Sequence, residues 1–105
     1  FDNNNNALYF SKEIIPFFDE KRSMQTEACP IFHHVGVYAY RPEILSKYHT
    51  WKESNLETLE GLEQLRFLEN SCAIKCVLVD SKGRTFWELN NPEDVMKIEK
   101  AIRKI

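Results

Sequence analysis

The chain has 105 residues, 43% of them hydrophobic and 29% charged, the mix of an ordinary soluble globular protein with a modest core. A formal net charge of −2 argues against nucleic acid as a main partner, since neutralising phosphates takes clustered Lys and Arg. No apolar run approaches the ~20 residues of a membrane span, and the first six residues carry neither the basic nor the apolar region of a signal peptide.

Asn3-Asn4-Asn5-Asn6 reads as a turn, because Asn tolerates left-handed backbone and caps turns with its own side chain. Ala7-Leu8-Tyr9-Phe10-Ser11 follows as a short aromatic strand. Pro16 interrupts the next apolar stretch, and residues 19–30, polar and without a period, read as a mobile loop. His34-Val35-Gly36-Val37-Tyr38-Ala39-Tyr40 is the best strand, with Val35, Val37 and Ala39 on one face and Gly36, Tyr38 and Tyr40 on the other. Pro42 opens a short helix that runs to about Tyr48.

The clearest helix is predicted from Asn55 to about Asn70. Ser54 and Glu57 make a capping box at its start. Leu56, Leu59, Leu62, Leu65 and Leu68 form one apolar stripe along it. Residues 74–79 read as a β-branched strand, Asp80-Ser81-Lys82-Gly83 as a turn and residues 84–89 as the returning hairpin strand. Asn91 caps a last helix with Pro92 at its first position, and Val95, Ile98, Ile102 and Ile105 supply its apolar face.

Cys29, Cys72 and Cys76 lack framework spacing, which suggests reduced thiols in a cytoplasmic setting. With His33 or His34 they allow a zinc reading, but the tight Cys pairs of structural zinc sites are absent. Gly36, Gly61 and Gly83 are too far apart for a phosphate-cradling loop. The polar features left are His33-His34, the Tyr38/Tyr40 pair, Glu63-Gln64 and Asn90-Asn91-Pro92-Glu93-Asp94. A His, a Tyr and a Gln together can hold a polyhydroxylated ligand, and His can add charge for a carboxylate. Each also has a plain structural reading: a satisfied strand-end histidine, a packed tyrosine, a solvated helix face.

Read in order, Ala7-Leu8-Tyr9-Phe10-Ser11-Lys12, Ile15-Pro16, the segment from His34 to Arg41, Leu56-Glu57, Leu62-Glu63-Gln64-Leu65-Arg66 and Asn91-Pro92-Glu93-Asp94 resemble the C-terminal part of the CMP-KDO synthetases, the 3-deoxy-manno-octulosonate cytidylyltransferases. The resemblance spans nearly all of residues 1–105 and implies one α/β segment for sugar binding and dimerisation. Its fold would be part of the nucleotide-diphospho-sugar transferase fold: a mixed sheet with flanking helices and a C-terminal helix. It also implies transfer of CMP from CTP to KDO, supported by Mg2+, in lipopolysaccharide synthesis. The family's CTP-binding N-terminal half has no counterpart here, so the chain alone is expected to be inactive, and the start at Phe1 fits a fragment. The implied sugar contacts are His34, Tyr38, Glu63 and Gln64, with Ser11 and Lys12 beside them. The implied partners are KDO or a related acidic sugar, CTP only together with the missing half, and a second copy in a homodimer, with no nucleic acid and no membrane.

Two positions depart from the family pattern. Lys12 stands where Arg is usual, keeping the charge but losing the bidentate fork. Asn90 stands at a metal-ligand Asp position, and a neutral amide oxygen weakens Mg2+ binding. The alternatives are a non-catalytic dimerisation or interaction module on the same scaffold and, more distantly, a zinc module.

Overall fold

The computed structural model describes residues 1–17, 19, 21, 31–84 and 88–104. Most of the loop read over 19–30, the centre of the returning hairpin strand, Cys29 and Ile105 lie outside them. Among the described residues the longer helices are α1 (Pro42–Tyr48), α2 (Asn55–Glu60), α3 (Gln64–Glu69) and α4 (Pro92–Arg103).

The helix expected over 55–70 is two helices. Ser54 Oγ accepts from the Glu57 N–H at 3.4 Å and the Glu57 carboxylate accepts from the Ser54 N–H at 3.1 Å, so the capping box forms as read. Gly61 then takes left-handed backbone, φ 65°, and its N–H closes on the Glu57 carbonyl at 2.7 Å. That conformation is nearly free for Gly and ends the helix. The chain turns at Leu62-Glu63 and re-enters a helix at Gln64. The break divides the leucine stripe: Leu65 is fully buried while Leu59 is 81% exposed.

Helices α2 and α3 pack on each other, fastened by a bidentate pair. Arg66 Nε donates to Glu57 Oε2 at 2.7 Å and Nη2 to Oε1 at 2.6 Å. The planar guanidinium matches the carboxylate and also lies 4.3 Å from the centroid of the Tyr48 ring. The Arg66 hydrogen bonds hold the Glu57 carboxyl below its usual pKa, with burial opposing. Phe67, on the same turn, gathers the rings of Tyr40, Tyr48 and Trp51 at centroid distances of 5.3, 5.1 and 5.7 Å. Leu65 and Phe67 are the buried apolar centre among the described residues.

The asparagine turn is as read. Asp2 Oδ1 accepts from the N–H groups of Asn4 and Asn6, both at 2.9 Å, and Asn5 has φ 62°. The turn at 80–83 also forms, with Lys82 and Gly83 both at positive φ. Asn90 and Asn91 both donate their N–H to Asp94 Oδ2, at 3.1 and 2.9 Å, which fixes the start of α4.

The strands are where expectation and structure part. Among the described residues the pairing is a single antiparallel bridge, Asn6 with Lys75. It is flanked by Ala7 N–H to Ile74 C=O at 2.8 Å and Cys76 N–H to Asn5 C=O at 2.7 Å. Segments 7–11, 34–40 and 74–79 otherwise form no ladder, and Val37 N–H folds back on Val35 C=O at 2.8 Å. A strand is stable only beside a partner that takes up its N–H and C=O groups and covers its side chains. Val37 and Val77 are 82% and 80% exposed, and Val95 and Ile102 of α4 are exposed as well. The radius of gyration, 16.6 Å, exceeds the ~13 Å of a compact domain of about 100 residues, in keeping with these uncovered faces.

Candidate functional site

A row of rings runs from the N-terminal segment to α3. Phe10 lies 4.7 Å from His34, His34 meets Tyr38 edge-on at 5.6 Å, Tyr38 stacks on Tyr40 at 6.2 Å, and Tyr40 stacks on Phe67. Tyr38 and Tyr40 thus lie side by side, although the 34–40 segment read as a strand forms none here.

Two polar atoms in this row are covered and have no hydrogen-bond partner among the described residues: His34 Nε2 and Tyr38 Oη. An unmade hydrogen bond at a buried polar atom costs about 1–3 kcal/mol, so such atoms in a folded protein call for a partner. Burial lowers the His34 pKa, and His33 adds to this, while the Glu88 carboxylate pulls the other way. His34 is therefore neutral at pH 7. It can donate or accept one hydrogen bond but does not bring the positive charge its residue type suggests.

The α2–α3 elbow supplies the other residues. Glu63 lines an open cavity of about 250 Å³ with Tyr40, Leu45, Tyr48 and Phe67. Gln64, the first residue of α3, is buried. Ser11 and Lys12 reach the same elbow by another route. Glu60, the last residue of α2, accepts from Tyr9 Oη at 3.1 Å, from Ser11 Oγ at 3.1 and 3.2 Å, and from the Lys12 N–H at 3.0 Å. The Ser11 hydroxyl proton is thus committed to Glu60, and Ser11 Oγ accepts from the Glu13 N–H at 3.0 Å. The donors, the Lys12 N–H foremost, hold the Glu60 carboxyl below its usual pKa.

Asn90 joins through Glu88. Glu88 accepts from the Gly36 N–H at 3.2 Å and lies 3.5 Å from Asn90 Nδ2. The expected residues therefore fall into groups: His34 and Tyr38 lie in the ring row, Glu63 borders its Tyr40–Phe67 end, Ser11 and Lys12 are held by Glu60, Asn90 lies beside Glu88, and Gln64 is buried at the start of α3. Sequence reading missed Glu60, Glu88 and Phe67. Glu60 sits among several glutamates of one Leu-rich stretch, and nothing local sets it apart.

Comparison with known proteins shows the family. The cytidylyltransferase family profile matches residues 1–80, and the chain belongs to that family, whose members are nucleotidyltransferases with the nucleotide-diphospho-sugar transferase fold. The chain is 41% identical over 96 residues to the 3-deoxy-manno-octulosonate cytidylyltransferase of Maricaulis maris, covering 91% of this chain and 36% of the relative. It is 40% identical over 103 residues to the enzyme of the same name from Acaryochloris marina, covering 98% and 39%. It is 39% identical over 102 residues to the 8-amino-3,8-dideoxy-manno-octulosonate cytidylyltransferase of Shewanella sp. W3-18-1, covering 97% and 38%. The chain thus spans well under half the length of these relatives.

The carboxylates beside Asn90 are those of Glu88 and Asp94. Mg2+ favours carboxylates, and Asn90 offers one neutral oxygen. The Asp94 carboxylate is engaged by two backbone N–H groups. No three His, Cys, Asp or Glu among the described residues are grouped to hold a metal ion. Cys72 and Cys76 are half-buried thiols. No helix of the described residues is long and apolar enough to cross a membrane.

Proposed function

We propose that this chain is the sugar-holding segment of a cytidylyltransferase whose acceptor is an acidic eight-carbon 2-keto sugar, 3-deoxy-manno-octulosonate or its 8-amino relative. The observation that carries this reading is the pair of covered, unpartnered atoms, His34 Nε2 and Tyr38 Oη, set in a ring row whose Tyr40–Phe67 end borders Glu63. A sugar hydroxyl both donates and accepts, so two such groups can satisfy both atoms and remove their desolvation cost. With His34 neutral, Lys12 is the cation of the group and the partner for the sugar carboxylate. Glu63 and Gln64 take further hydroxyls. In the whole enzyme the anomeric oxygen attacks the α-phosphorus of CTP, the new P–O bond forms, and pyrophosphate leaves. This segment's work is to hold and orient the acceptor. The CTP-binding half is supplied by sequence outside these residues. Mg2+ binds mainly there, because Asn90 is a poor ligand. The setting is cytoplasmic, where the nucleotide and reduced thiols are both found.

Thermal shift with 3-deoxy-manno-octulosonate tests the reading. The sugar raises the melting temperature, and His34→Ala or Gln64→Ala abolishes the rise. An unchanged melting temperature over a wide sugar range refutes it. A second reading, a dimerisation module on the same scaffold, is favoured by the exposed Val37, Val77, Leu78 and Val79. It predicts a concentration-dependent dimer with no sugar response.

A further inference from the structure

The proposed sugar site leaves one question open: what fixes a long, flexible lysine well enough to recognise a carboxylate. Lys carries about 2 kcal/mol of rotamer entropy and lacks the rigid fork of Arg. The Glu60-Gly61 step answers it in two ways. The Glu60 carboxylate collects the Tyr9 hydroxyl, the Ser11 hydroxyl and the Lys12 N–H, so the backbone of Lys12 is tied to the end of α2. Gly61 clears the space beside it: a Cβ there would lie 2.8 Å from Lys12 Nζ and 3.7 Å from Cε. The ammonium therefore rests on the one residue of the elbow that has no side chain. Glu60 is also oddly sited for a purely helical role. A carboxylate at a helix C-terminus faces the negative end of the dipole, where a cation is preferred. Its place is explained by the donors it gathers.

We infer that Glu60 and Gly61 form a seat that positions Lys12, and that through it this protein selects acceptors bearing a carboxylate. The inference rests on the sugar-holding reading above. Glu60 acts through Lys12 and is a positioning residue.

The test compares 3-deoxy-manno-octulosonate with its methyl ester, titrated by ligand-observed NMR into the whole natural polypeptide. The wild type prefers the acid by about tenfold, the worth of one charge-assisted hydrogen bond. Lys12→Met removes that preference. Glu60→Ala removes it too, leaving ester affinity unchanged, and Glu60→Gln, with one oxygen left for the Lys12 N–H, restores part of it. Tyr9→Phe with Ser11→Ala, which leaves α2 untouched, lowers the preference and decides the matter if Glu60→Ala does not fold. If Glu60→Ala keeps the wild-type preference while Lys12→Met loses it, the seat is overturned and the sugar reading stands. If Glu60→Ala weakens acid and ester equally, or Gln gives no rescue, its role is merely structural and the inference fails. If the wild type binds the sugar without preferring the acid, the role of Lys12 fails, and the seat with it.

Discussion

Phe67→Ala is the most severe single change the structure identifies. The Phe67 side chain is 4% exposed, and three rings from the two ends of α1, Tyr40 before it and Tyr48 and Trp51 at its close, converge on it. Truncating a buried Phe costs about 3–5 kcal/mol in lost transfer energy and residual cavity. The stacked pairs with Tyr40 and Tyr48 and the edge contact with Trp51 place the expected loss in the upper part of that range, since aromatic pairs add about 0.5–1.5 kcal/mol beyond area. Among the described residues Leu65 is the only other buried apolar side chain, so little is at hand to fill the gap. Domains of this size have about 5–15 kcal/mol in total, so the loss removes at least about a third of the stability. Urea unfolding followed by tryptophan fluorescence measures the loss, with Leu59→Ala as the exposed control from the same leucine stripe. Leu59→Ala changes stability by no more than about 0.5 kcal/mol. A Phe67→Ala loss below about 1 kcal/mol, or one no greater than that of Leu59→Ala, refutes the placement of the core at α3.

The depressed pKa of His34 gives a pH signature. Above its unfolded value of 6.5 both states are neutral and the stability is fully present. As pH falls from there through the lowered folded value, the unfolded chain takes up a proton first and stability is lost. His34→Gln flattens that part of a melting-temperature profile, and an unchanged profile counts against the burial of the ring. Gly36→Ala and Gly61→Ala differ in kind. The first meets only the movable Glu88 carboxylate, 2.6 Å from its Cβ, and costs less than about 1 kcal/mol. The second forces Ala to φ 65° and costs about 1–2 kcal/mol, read by the same unfolding assay; equal costs would contradict the left-handed turn. Ser54→Ala opens the capping box of α2 and costs about 1 kcal/mol, whereas no measurable loss would mean the cap is not formed in solution.

Local chemistry was legible in the residues. The turn at Asn3 to Asn6, the Ser54-Glu57 box, the Pro42 and Pro92 helix starts and the 80–83 turn all depend on interactions within a few positions, and each is found where its residue types place it. Family membership was legible too, because it rests on the order of short motifs and not on their packing. The long leucine stripe misled, because its period continued across Gly61 while the backbone did not. The strand patterns were sound as patterns. A ladder, however, also needs a neighbour, and among the described residues only Asn6 and Lys75 pair.

The sequence by itself determined caps, turns, helix starts and kinship, since those arise from contacts a few residues apart. Tertiary structure alone decided that Phe67 is the centre and Leu59 the surface, and that burial keeps His34 neutral. It alone decided that Glu60, one glutamate among several, holds Tyr9, Ser11 and Lys12 from about fifty positions away. Solvation and long-range hydrogen bonding depend on which segments meet, and no local period encodes that.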